Sequence, residues 1–161
     1  MSIYLIQSEA DFLFEMEKIP ESNEIYGFPI SGNKLIIPLT SLDKREQFIF
    51  DVNRASIKLE KITYQNRARK SIVLRRLDIE GAPHKNPDVT TVPSQISPSY
   101  NGLEIPCPHL HIYIEGFHHK WAIPATDLLD ISGKENFDIL FEFFKYCNVI
   151  NNPVILNNLG I

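Results

Sequence analysis

The sequence predicts an α+β domain: a curved, mostly antiparallel sheet or small open barrel of six to seven strands, with a helix near each end. Three observations carry that prediction. Short runs alternating apolar and polar residues recur between positions 24 and 123. Turn-forming Gly, Asn and Pro separate those runs. Helical periodicity is confined to the first twenty residues and to the stretch after residue 135. The 161 residues fit one domain, 1–161, with residues 150–161 as a C-terminal tail.

Ser8 to Lys18 reads as a helix with Ser8 as N-cap, Asp11 three residues on, and Phe12, Met16 and Ile19 at helical spacing. Pro20 would stop it. Glu24–Ile30 and Lys34–Leu39 read as strands joined into a hairpin by Ser31-Gly32-Asn33. Glu46–Asn53 follows, with Phe48 and Phe50 on one face and Ile49 and Asp51 on the other. Ser56–Tyr64 and Ser71–Ile79 are the fourth and fifth strands, and Tyr64–Arg69 is read as their connection. Gly81 to Gly102 holds four prolines, so it reads as a long loop, carrying His84, Asn86 and Asp88. Pro108–Glu115 is a strand, Gly116–His119 a turn, and Lys120–Ile123 the start of a last strand. Asn136–Asn148 is an amphipathic helix whose stripe is Phe137, Leu140, Phe141, Phe144 and Cys147. The tail from Asn151 reads as coil.

Composition narrows the class. Two cysteines, Cys107 and Cys147, give neither a disulfide framework nor a zinc-knuckle spacing. The first residues lack a basic leader followed by an apolar run, and no stretch of 18 apolar residues occurs. A cytoplasmic protein with no membrane partner is expected. The formal net charge of −4 conceals an asymmetry. Residues 44–76 hold ten of the sixteen Lys and Arg residues against three acids, a net +7. Such a dipolar chain can steer RNA or another polyanion to one side.

The segment from His109 to Glu115 carries the chemistry. On a strand, His109, His111, Tyr113 and Glu115 share one face, with alternate side chains about 7 Å apart. Leu110, Ile112 and Ile114 take the other face and cover a core. Three readings of the polar row stand. In the first, His84 pairs with His109 or His111 as general acid and base in metal-independent RNA cleavage. Tyr113 would donate to a phosphate oxygen and Glu115 would orient a histidine. Arg54, Arg67, Arg69, Arg75, Arg76 and Asn86 are the candidate substrate contacts. In the second, the row belongs to a non-catalytic module that binds nucleic acid or a partner protein. In the third, His109 and His111 chelate a metal with His84, Asp88 or Glu115, although no cofactor is needed by the favoured mechanism. His118 and His119 fall in the expected turn and have no assigned role. There is no nucleophile elbow and no Gly-rich phosphate loop.

Leu74-Arg-Arg-Leu-Asp78, Pro83-His84-Lys-Asn-Pro-Asp88, Pro108-His109-Leu-His111-Ile-Tyr113-Ile-Glu-Gly116 and Trp121-Ala-Ile-Pro124 together carry a resemblance. The chain resembles a family of small uncharacterised bacterial and mobile-element proteins with PH-x-NPD and H-x-H-x-Y-x-E-G motifs. Over residues 72–124 its layout is also similar to TumE-type toxins of toxin–antitoxin pairs. The resemblance implies an endoribonuclease of toxin or defence type, with a cognate antitoxin as partner. Its matching positions are Arg76, Asp78, Pro83, His84, His109 and His111. The chain departs from that pattern where Lys85 follows His84, and in its N-terminal strands.

Overall fold

The computed structural model describes residues 4–54 and 61–157. In chain order the elements are α1 (Gln7–Glu15), β1 (Lys18–Pro20), β2 (Ile25–Gly27), β3 (Lys34–Ser41), β4 (Gln47–Asn53), β5 (Thr63–Ala68), β6 (Ile72–Asp78), β7 (His84–Lys85), β8 (Glu104–Ile105), β9 (His109–Ile114), β10 (His118–Pro124), α2 (Asn136–Tyr146) and β11 (Val154–Leu156). Seven strands form one open antiparallel sheet in the order β1-β3-β4-β5-β6-β9-β10. The α+β class, the mostly antiparallel sheet and the two flanking helices agree with the sequence prediction. Among the described residues no helix is long and apolar enough to cross a membrane.

One face of the sheet is the core. Ile37, Leu39, Phe48, Phe50, Val52, Tyr64, Leu74, Leu77 and Leu110 are all essentially sealed from solvent. α2 lays Leu140, Phe143, Phe144 and the following Cys147 onto that face, with the Phe50 ring 4.6 Å from Phe144 and 5.2 Å from Phe143. The seam is therefore centred one residue round from the expected stripe: Phe143 is buried, whereas Phe137 and Phe141 are only partly covered. The opposite face is polar where β6 and β9 meet. Register pairs Arg76 with His111 and Asp78 with His109, so these four side chains stand on the same side.

Several sequence expectations are corrected. Ser8 is not the N-cap; Ile6 occupies that position without a side-chain bond, and the Glu115 carboxylate accepts the Gln7 N–H at 2.7 Å instead. Phe12 is 65 % exposed, while Ala10 and Leu13 are the buried residues of α1. The helix ends before Pro20, which sits in edge strand β1. No hairpin joins residues 24–30 to 34–39: β2 pairs in parallel with β11, which turns the expected coil tail into a strand, and β3 pairs with β1 and β4. The fourth expected strand falls largely on residues outside the described set, and most of Tyr64–Arg69, read as a connection, belongs to the strand β5 (Thr63–Ala68). The proline loop is not wholly irregular, because its His84–Lys85 pairs with Glu104–Ile105. His118 and His119 lie in β10, not in a turn.

Candidate metal centre

The centre is built where β6, β9, β10 and the β7–β8 ribbon meet. Asp78 is buried at the end of β6, and its carboxylate is fully engaged. Oδ1 accepts the Thr63 hydroxyl at 2.9 Å and Arg76 Nε at 2.9 Å. Oδ2 faces His109 Nε2 at 3.1 Å and His111 Nε2 at 3.4 Å. One donor atom from each of Asp78, His109 and His111 lies within 4.8 Å of the others. Burial opposes ionisation of Asp78, but hydrogen bonds from His109, His111 and Arg76 outweigh it and hold the carboxyl well below the usual carboxylate range.

The second nitrogen of each imidazole is tied to the main chain. His109 Nδ1 donates to the Ile105 carbonyl at 3.0 Å, and His111 Nδ1 to the His119 carbonyl at 2.8 Å. His84 Nε2 donates to the Lys120 carbonyl at 2.6 Å. The local backbone explains these acceptors. Strand register slips between His118 and Trp121 of β10, and a bulge of this kind releases carbonyls from the ladder. His119 and Lys120 are the residues it frees. Ile105 belongs to the same ribbon that carries His84, so one short pairing sets both His84 and the support for His109.

A main-chain carbonyl accepts only an N–H, which fixes these nitrogens as the protonated ones. The remaining nitrogens of His109 and His111 both face one carboxylate oxygen, each donating a proton to it or, without that proton, directing a lone pair at it. The lone-pair arrangement is repulsive unless a metal ion lies between. One metal ion would satisfy all three donors. Nitrogen–oxygen spacings of 3.1 and 3.4 Å fit ligands about 2.1 Å from a common ion in octahedral or tetrahedral geometry.

Above the donors opens a cavity of about 330 Å³ lined by Lys61, Arg76, Glu80, His84, His119 and Lys120 among others. The His84 ring centroid is 4.6 Å from His111 and 6.0 Å from His109. Burial lowers the His84 pKa; its bond to the Lys120 carbonyl opposes this, and the His111 and His109 charges add to it. His119, 6.2 Å from His111 ring to ring, is lowered by burial and then by His111 and Arg76. Cys107 Sγ lies 3.6 Å from His109 Nδ1, but burial and the Asp78 and Glu80 charges push the thiol up, away from a thiolate.

The structure thus brings together His84, His109, His111 and Arg76, and leaves the other candidates elsewhere. The Tyr113 hydroxyl donates to the Leu5 carbonyl at 2.8 Å and accepts the Leu5 N–H at 2.6 Å. Glu115 caps α1. Arg67 pairs with Asp51 at 3.0 Å, and Arg69 with Glu46 at 3.2 Å and Glu9 at 3.6 Å. Arg75 lies on the helix-covered face, 3.8 Å over the Phe14 ring. Arg54 Nη1 donates to the Pro29 carbonyl. Asp88, a candidate third ligand, sits beside Asn101 and Gly102 on the proline loop.

Asn86 is a staple. Its amide accepts the Ala122 N–H at 2.8 Å and donates to the Ala122 carbonyl at 2.8 Å and the Tyr100 carbonyl at 3.1 Å. Asn86→Ala would leave both Ala122 groups unpaired in a buried site. It is expected to cost about 2 kcal/mol, read by urea unfolding, and to speed amide exchange at Ala122. Unchanged exchange at that amide would count against the staple.

Sequence reasoning left Thr63, Lys61, His119 and Lys120 out of the site, and gave Asp78 no chemical role. The available signal for Asp78 was its place two residues from Arg76 on one strand, which puts both on one face.

Fold and site together define an α+β protein with a buried carboxylate–histidine cluster beneath a cation-rimmed cavity. The chain belongs to a family of unknown function, DUF6978, whose family model matches residues 5–149. No curated protein and no solved structure matches it.

Proposed function

We propose that this chain is a metal-dependent enzyme. Asp78, His109 and His111 hold one divalent transition-metal ion, and the ion assists hydrolysis or transfer of a substrate bound in the cavity. The observation that carries this reading is the convergence of two main-chain-anchored imidazoles on one buried carboxylate oxygen. Outer-shell carbonyls of this kind orient metal-binding histidines and fix their tautomer. Two histidines and one carboxylate leave coordination positions open, as catalytic centres require. Imidazole and carboxylate donors suit zinc, iron or manganese better than calcium or magnesium.

A second reading keeps the metal-free endoribonuclease of toxin or defence type expected from the sequence. What favours it is the 4.6 Å spacing of the His84 and His111 rings beside Arg76, a suitable arrangement for an acid–base pair and a phosphate contact.

One preparation decides between them. Protein purified without an affinity tag is expected to carry about one equivalent of transition metal, since dedicated sites bind tightly. Any RNA cleavage it shows should stop on chelation and return on adding the ion. Less than about a tenth of an equivalent, after incubation with zinc, iron and manganese in turn, would sink the metal reading. Cleavage that continues undiminished in chelator would favour the second.

A further inference from the structure

We infer that the cavity takes a phosphate ester, gripped through one phosphate group by Lys61, Arg76 and Lys120; the inference rests on the metal reading above. Three permanent cations line the cavity. Asp78 is committed to the histidines, Thr63 and Arg76, which leaves Glu80 as the one uncommitted carboxylate among the lining residues. The site is therefore anion-selecting despite the acidic chain. Arg76 is held in place rather than used up. Its Nε donates to Asp78, its side chain is 33 % exposed, and its two terminal nitrogens make no hydrogen bond among the described residues. That leaves a fixed fork at the cavity wall. Lys61 lines the cavity with its Cε 3.9 Å from where a side chain on Gly81 would begin.

The number of donors selects the anion. A terminal phosphate offers three oxygens, enough to meet the metal, the Arg76 fork and a lysine at once. A carboxylate offers two and would leave one partner unmatched. The surrounding charges argue for a single phosphate group rather than a long backbone. Arg67, Arg69 and Arg75 of the basic window are held by Asp51, by Glu46 and Glu9, and by the Phe14 ring and the Tyr146 hydroxyl. They do not extend the cationic rim into a track.

Calorimetric titration of inorganic phosphate into the zinc-loaded full chain at fixed ionic strength tests this. The wild type is expected to bind, and the Lys61→Gln/Lys120→Gln variant to bind about tenfold more weakly, the scale of two partly exposed charge contacts. Zinc content should stay the same in both. If zinc loads normally and phosphate binds neither protein, or binds both equally, this inference falls while the metal reading stands. If no metal loads, the metal reading falls. Phosphate titrated into the metal-free chain then decides the cation rim alone: lysine-dependent binding keeps it and its absence removes it. Binding of a long single-stranded RNA at least a hundredfold tighter than phosphate, with a steep salt slope, would overturn the single-phosphate assignment.

Discussion

His111→Ala is expected to lower metal affinity by more than roughly a hundredfold. Loss of a mere outer-shell partner costs about 10–100-fold, and a direct ligand contributes more. His111 is tied at both ends, to Asp78 through Nε2 and to the His119 carbonyl through Nδ1, which sets its ring for the ion. Truncating a buried side chain can also unfold a protein, so the experiment needs a gentler companion. Asp78→Asn keeps the shape and an acceptor but removes the charge that balances the ion. Both variants should show the wild-type circular dichroism spectrum, and in neither should saturating zinc raise the melting temperature. In the wild type it should, because an ion that binds only the folded chain stabilises it by mass action. His118→Ala is the control, since His118 packs against Tyr4 and Tyr113 outside the cluster. Folded His111→Ala and Asp78→Asn proteins that still carry one equivalent would remove the centre.

What could be read in the sequence was local. Alternation placed His109, His111, Tyr113 and Glu115 on one face correctly, and the aromatic periodicity of α2 marked a true buried element. Alternation does not say how far along a strand a site reaches. Rising about 3.3 Å per residue, Tyr113 and Glu115 run roughly 7 and 13 Å beyond His111. There they meet the N-terminal segment and α1, more than a hundred residues away in sequence. The arginines misled for a related reason. A count of charges in a window cannot see that Asp51, Glu46 and Glu9 neutralise Arg67 and Arg69 across strands, or that Arg75 points to the aromatic core. The expected hairpin failed because the partner of β2 comes from β11, near the other end of the chain. The Asp78 carboxylate depended on β6 pairing with β9 across the whole proline loop, a register no local pattern encodes.

Lys18→Met should destabilise the fold by about 3 kcal/mol, although it replaces a buried charge with an apolar side chain of similar length. Lys18 is 0 % exposed, and its ammonium donates to the carbonyls of Phe14 at 2.7 Å, Met16 at 2.8 Å and Cys147 at 2.8 Å. These acceptors lie at the C-terminal ends of α1 and α2, where carbonyls lack partners further along the helix and the dipole favours a cation. The Phe48 ring, 4.9 Å away, adds a further contact. Relief from desolvating the charge works the other way, but three carbonyls stranded together in the interior outweigh it. Burial pulls the Lys18 pKa from 10.5 down to about 8, with the Cys147 thiol opposing and Arg75 reinforcing the shift. The folded chain therefore releases this proton before the unfolded chain does. Between about pH 8 and 10.5 the unfolded state binds more protons, so this residue's contribution to stability rises with pH across that window and is flat below it. Cys147, pushed up to about 12 by burial, stays neutral in the folded chain, and the ionisation of its thiol in the unfolded chain is common to both proteins. Urea unfolding of wild type and Lys18→Met at pH 7 and at intervals to pH 10.5 reads both effects. The gap between the proteins should widen as the pH climbs. A variant as stable as the wild type at pH 7 would show that the Lys18 side chain does not clamp the two helix ends, and a gap that narrows above pH 8 would show that burial does not lower its pKa.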